Sequence, residues 1–323
     1  MASAQLVQRR KRILITGSNG NLGEKLARNL LELQEYDLIL IDLDSESKVP
    51  PCGPVPRVEY YQADLSKVSA SWTGKLRRSD VVFHFAGCKL NADVSWASAA
   101  QSLDTACNVL LHAAQANVKR VVLASSWHVS GSCKDLDCSP SHARDERLFS
   151  PTDPVSPGTQ WFAGCRLIDS TSYAVPKLAE ERLAKCLAES NPTTAFLVLR
   201  MGWCQPGENI PGTLSAVGCE ADEPETGLSL SAHGSGNPLD DSQFLREWFR
   251  NTWLSNRDFC TLCSKCISGQ LPATSKGFYI VNAVSANAGS HWDLEAGKDL
   301  LGYEPQDDAH KCVEDDGWTL LDS

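Results

Sequence analysis

The 323-residue chain carries 30 Lys and Arg against 40 Asp and Glu, a formal net charge of −10, with 42% hydrophobic residues. At about 150 residues per domain it has room for two structural units and a large core, so neither disulfide nor metal staples are required. The acidic balance and ordinary apolar fraction argue against a nucleic-acid partner and against disorder, and no apolar run approaches the roughly 20 residues of a membrane span.

In chain order, Met1 to Arg12 turns basic where a signal peptide needs its apolar stretch, which predicts a soluble, cytoplasmic protein. The run Arg9-Arg10-Lys11-Arg12 reads as a solvated flank, with a targeting patch as the alternative. Residues 12–16 form a β-branched strand, and an amphipathic helix is predicted over Leu22 to Leu33. Further strands are predicted at Tyr36 to Leu43, Val58 to Gln62, Val81 to Phe85, Arg120 to Ser125 and Ala195 to Arg200. Near-continuous apolar strands separated by helix-length segments predict an α/β fold, a Rossmann-type doubly wound parallel sheet covered on both faces.

Two stretches break this rhythm. Residues 132–172 are rich in Ser, Pro and Asp, and residues 206–241 are rich in Gly, Pro, Ser and acids. Long segments without period are either disordered insertions or covers over a site. Phe244 to Ile267 is predicted as one helix with Trp248 and Trp253 as core or subunit contacts. Its Cys260, Cys263 and Cys266 would line one side as packing residues; an iron–sulfur or zinc site is the alternative, though a fourth ligand has no candidate. The 13 cysteines are odd in number and scattered, which suits reduced thiols in a core and predicts no metal.

The segment Thr16-Gly17-Ser18-Asn19-Gly20-Asn21-Leu22-Gly23 follows a strand and opens a helix. Gly17 permits the tight turn, Gly20 lets a pyrophosphate approach the backbone, and Gly23 lets the helix pack on the strand, so the phosphates of a dinucleotide would meet the helix N-terminus. Asp42 closes the next strand, where it would accept hydrogen bonds from the adenosine ribose and repel a 2′-phosphate. NAD is therefore the expected cofactor, with a solvated strand-end acid as the alternative reading of Asp42. Asp64 and Leu65 are placed at the adenine, and Phe85-Ala86-Gly87 leaves room for the cofactor backbone. Residues 1–200 are thus read as an NAD-binding unit with an insertion at about 132–172, and 201–323 as mainly a small substrate lobe that returns some elements to the sheet.

Tyr173-Ala174-Val175-Pro176-Lys177 puts a phenol and an ammonium on one helical face. Beside Lys177 and the nicotinamide charge the phenol would ionise toward neutral pH and serve as a base, while Ser126 supplies a hydroxyl for the substrate oxygen. A helix beginning near Ser172 would place Pro176 in the first turn, where its missing N–H costs little.

Together these residues resemble the extended short-chain dehydrogenase/reductase superfamily, the NAD-dependent epimerase/dehydratase family, over Arg12 to about Asp308. Within it the chain is most similar to the uronate dehydrogenases, through Ala124-Ser125-Ser126-Trp127-His128-Val129-Ser130-Gly131 and Leu199-Arg200-Met201-Gly202-Trp203-Cys204-Gln205-Pro206. Ser285-Ala286-Asn287-Ala288-Gly289-Ser290-His291-Trp292-Asp293 and Leu301-Gly302-Tyr303-Glu304-Pro305 extend the match. The resemblance implies oxidation of the anomeric carbon of a hexuronic acid, with hydride passing to NAD. Tyr173 would be the base, Lys177 would lower its pKa and hold the nicotinamide ribose, and Ser126 would hold the reacting hydroxyl. His128 matches a substrate-contacting His, with a satisfied structural His as the alternative. It further implies a homodimer through paired helices.

The chain also departs from that pattern. Trp127 stands where uronate dehydrogenases carry Asn, and Lys89 and Trp203 where they carry Ser. No Arg occurs near Ile210-Pro211 to pair the substrate carboxylate; Ser102 replaces an Asn, while Asn108 is retained. Lys89 could replace the Arg as a point charge and Trp127 could stack on a sugar face. Otherwise the pocket has changed substrate, with a sugar or sugar acid as the partner in either case. A nucleotide-sugar epimerase or dehydratase would use the same Ser, Tyr and Lys, but residues 206–241 contain no Lys or Arg for a diphosphate. A non-catalytic NAD-binding protein is the third reading, against which the retained triad argues.

Overall fold

The computed structural model describes residues 9–50, 57–88, 94–133, 148–163, 166–214, 242–272 and 276–311. Seven strands form one parallel sheet: β1 (Lys11–Thr16), β2 (Tyr36–Asp42), β3 (Val58–Gln62), β4 (Val81–His84), β5 (Arg120–Ser126), β8 (Ala195–Met201) and β9 (Phe278–Ala283), in the order β3-β2-β1-β4-β5-β8-β9. The six predicted strands are all present. The seventh, β9, was not predicted; it adds to the far edge beside β8 from Phe196↔Phe278 to Met201↔Ala283.

The helices α1 (Asn21–Leu33), α2 (Ala70–Leu76), α3 (Trp96–Gln115), α4 (Thr171–Ser190), α5 (Ser242–Asn251), α6 (Asn256–Ser268) and α7 (Glu295–Leu301) complete the framework. β1 shows why the sheet is a double-sided core. Ile13 and Ile15 pack with Leu26 and Leu30 of α1 and Phe259 of α6, whereas Leu14, on the opposite pleat, packs with Trp72 of α2 and Val109 of α3. Strand order reverses between β2-β1 and β4-β5, so a crevice opens at the carboxyl ends of β1 and β4.

The predicted helix over Phe244 to Ile267 is broken in two. Residues 252–255 run extended beside the end of β8, with Trp203 N donating to the Thr252 carbonyl (2.7 Å) and Leu254 N to the Trp203 carbonyl (2.9 Å). Ser255 then caps α6, accepting from Asp258 N. Backbone pairing with a distant strand end thus overrides the helical period. Cys263 and Cys266 on α6 are buried in the core and Cys260 packs against it. Burial pushes the Cys260 and Cys266 thiols up to about 12. Within the described part of the first insertion, β6 (Gln160–Ala163) and β7 (Arg166–Asp169) pair antiparallel. Most of the second insertion, residues 215–241, lies outside the described residues. Among the described residues no helix is long and apolar enough to cross a membrane.

Candidate active site

A cavity of about 710 Å³ follows the crevice from the end of β2 to the start of α4. Its near end is the glycine turn after β1. Gly17 has φ +66°, and a Cβ there would lie 2.7 Å from Ala86 N; a Cβ on Gly23 would lie 2.1 Å from the Gly17 carbonyl. Gly20 N donates to the Gly17 carbonyl (3.0 Å) and its residue caps α1, so Asn19, Gly20, Asn21 and Leu22 line the cavity at a helix N-terminus. This turn fits a pyrophosphate: side-chain volume is excluded from it and the first turn of α1 borders it.

Asp42, Asp64 and Leu65 line the same end, together with Leu43, Asp44 and Lys48, which sequence reasoning did not single out. The Asp42 carboxylate accepts from Asn19 N (2.8 Å) and Leu43 N (2.7 Å). Asn19 itself is committed: its amide donates to Asp44, the Glu46 carbonyl and Tyr60, and its oxygen accepts from Lys48 N (2.9 Å). Asp64 accepts from the Ser66 hydroxyl (2.6 Å), which holds its carboxyl below the usual range.

Two predicted cofactor contacts lie elsewhere. Ser18 is fully buried and absent from the lining. Asn108, on α3, turns its amide to the carbonyls of Leu65 and Ser66 (both 3.0 Å), so it holds the lining loop rather than the cavity. Phe85, Ala86 and Gly87 do line it; the Thr16 hydroxyl, beside His84 Nδ1 (2.8 Å), accepts from Phe85 N and Ala86 N. Ser102 Oγ accepts from Cys88 N (2.6 Å) and so shapes the loop that follows.

Ser126 from the end of β5 and Tyr173 and Lys177 from α4 meet at the far end of the cavity. Lys177 is buried, with Nζ donating to the Ala124 carbonyl (3.1 Å) and to Glu180 (3.0 Å). The expectation that Tyr173 falls toward neutral is not met by the protein alone. Burial pushes the phenol above its ordinary value, outweighing the downward pull of Lys177 and a hydrogen bond from Ser126, while Cys88 and Glu180 push it further up. Pro176 is likewise not in the first turn. α4 starts at Thr171 and Pro176 is its sixth residue, so the Ser172 carbonyl loses the N–H that would close the turn. The helix tolerates this because it is held against α3 and β5.

Sequence reasoning missed two acids on α4. Glu181 takes a bidentate pair from Arg200, and Ser125 Oγ donates to it at 2.6 Å. Glu180 pairs with Lys177. Their signal was present as spacings of three and four from Lys177, which share its helical face.

At the mouth beyond Tyr173 the cavity is lined by Trp127, His128, Met201 and Trp203. Trp127 is not a free stacking platform: it is 2% exposed, its ring lies 3.8 Å from the His128 ring, and Trp248 and Trp292 pack around it. His128 Nδ1 is 3.0 Å from Ser170 Oγ, and its ring stands edge-on to Tyr173 at 5.9 Å. Trp203 packs against Phe249 at 4.8 Å. Trp253 is core, its indole N–H donating to the Asn209 carbonyl. Lys89 lies outside the described residues.

The model of the NAD dependent epimerase/dehydratase family matches residues 13–203. The chain is 22% identical over 298 residues to an NAD-dependent glucose-6-phosphate dehydrogenase of Haloferax volcanii, covering 92% of this chain and 94% of that protein. Among solved structures, a mutated uronate dehydrogenase has a TM-score of 0.59 at 21% identity, over 95% of this chain and 85% of its own. A UDP-galactose 4-epimerase gives 0.58 at 18% identity, over 94% and 96%. These likenesses show a shared fold.

Proposed function

The chain belongs to the NAD-dependent epimerase/dehydratase family, and from that premise we propose that it oxidises a hydroxyl, at the anomeric carbon, of a sugar or sugar acid. The cofactor is NAD, which accepts a hydride when bound. In this reading Ser126 holds the substrate oxygen, Tyr173 takes its proton as the C–H bond gives up hydride, and Lys177 supplies the positive charge that stabilises the phenolate. The observation that carries the proposal is the meeting of Ser126, Tyr173 and Lys177 at the end of one cleft whose other end holds the Gly17–Gly23 turn and Asp42.

Substrate orientation falls to Lys89, Trp127, His128 and Trp203. Trp127 acts as the wall behind His128, and His128, fixed by Ser170, presents its ring to the substrate. The assembly is proposed as a homodimer. The test offers NAD with a panel of hexuronic acids and aldoses and follows NADH absorbance. Turnover with one sugar class is expected; no NADH with any of them, alongside epimerisation of a UDP-sugar seen by NMR, would reverse the assignment.

A further inference from the structure

Glu180 is a charged group that the proposed reaction does not use. Its side chain is 1% exposed, one oxygen accepts from Lys177 at 3.0 Å, and the other has no hydrogen-bond partner among the described residues. Packing alone gives no reason for an acid there, since an uncompensated buried carboxylate is costly and an apolar residue would fill the same space. Its one strong contact is the ammonium next to the phenol. Lys177 has three N–H groups; Glu180 and the Ala124 carbonyl take two, and Nζ lies 3.9 Å from where a Cβ on Gly87 would stand, beneath the cavity.

We propose that Glu180 is a positioning residue: it anchors the Lys177 ammonium and offsets its charge, so that Tyr173 ionises at higher pH than it would beside Lys177 alone. Seen from the phenol, the Glu180 carboxylate offsets part of the downward pull of the Lys177 ammonium, which acts undiminished once the acid is removed. The other groups facing this pair leave the balance to Glu180. His84 of β4 is fully buried beside Lys177 and pushed down to about 3, so it is neutral. From α3, Cys107 lies near both Glu180 and Asp104, and burial pushes its thiol up. Cys88 lies beside Tyr173 and Lys177. Glu181 on α4 adds a second negative charge, but Arg200 neutralises it. The consequence is a phenol that ionises at higher pH than burial and Lys177 alone would set, which moves the acid limb of the oxidation rate up in pH.

The inference rests on the proposed role of Tyr173 only in its kinetic arm. The first arm titrates tyrosinate absorbance of the protein alone, subtracting the same titration of Tyr173→Phe to isolate one phenol. In Glu180→Gln the midpoint of Tyr173 falls by roughly half to one pH unit. Glu180→Asp, with its carboxylate drawn back one methylene, moves it less in the same direction and decides the matter if the Gln protein does not fold. The second arm measures kcat against pH, where the acid limb of Glu180→Gln moves down by the same amount. An unchanged or raised midpoint in both folded variants overturns the proposal. A shifted titration with an unshifted rate profile upholds it and removes Tyr173 as the base.

Discussion

Arg200 meets Glu181 in a parallel fork, with Nε 3.1 Å from Oε1 and Nη2 3.0 Å from Oε2, both side chains 4% exposed. The pair joins β8 to α4 behind the candidate triad, and the Ser125 and Ser130 hydroxyls complete it. Breaking a buried pair from one side leaves the other charge stranded. Glu181→Gln or Arg200→Leu should therefore cost about 3–5 kcal/mol, read from urea unfolding. The double variant Arg200→Leu/Glu181→Gln should cost less than the sum of the two single changes, because no lone charge remains.

Gly23 has a different sensitivity. A methyl group there meets the Gly17 carbonyl at 2.1 Å, so backbone must move. Gly23→Ala should destabilise the fold by about 1–3 kcal/mol and weaken NAD binding at least tenfold by calorimetry. Retained affinity would remove the glycine turn from the cofactor site.

Trp127 separates a packing role from a contact role. Because it is buried among His128, Trp248 and Trp292, Trp127→Ala should cost about 3–5 kcal/mol of stability, beyond any change in KM. A variant with wild-type Tm and a raised KM alone would restore the indole as a free stacking surface.

His84 makes stability depend on pH. Its folded value of about 3 lies below the ordinary 6.5 because of burial first and Lys177 second. Between pH 6.5 and 3 the unfolded chain binds a proton that the native protein does not, so stability falls as pH falls through this window, by roughly 1 kcal/mol per pH unit. In His84→Gln this slope should flatten in denaturant titrations across the same range.

Sequence pattern made the nucleotide half legible because each of its signals is local. Ile13 to Ile15 are apolar on both pleats, and the glycine turn and Asp42 follow at fixed offsets. What pattern missed depends on distant partners. β9 was hidden because an edge strand reads weakly until β8 is placed beside it. Residues 252–255 kept helical spacing yet pair with Trp203, fifty residues earlier in the chain. Trp127 read as an exposed ligand contact because its polar neighbours in sequence conceal Trp248 and Trp292, which come from far along the chain. Glu180 and Glu181 lay in plain view at helical spacing from Lys177, but an acid on a helix is ordinarily solvated, and only burial singles these two out.

Net oxidation by hydride transfer is tested most directly by isotope tracing. With a substrate sugar deuterated at its anomeric carbon and an excess of NAD, released NADH should carry one deuterium by mass spectrometry, in amounts equal to the oxidised sugar, and Tyr173→Phe should lower the rate by about 10² or more. Label that stays with the sugar while an epimer accumulates, with no free NADH, would contradict it.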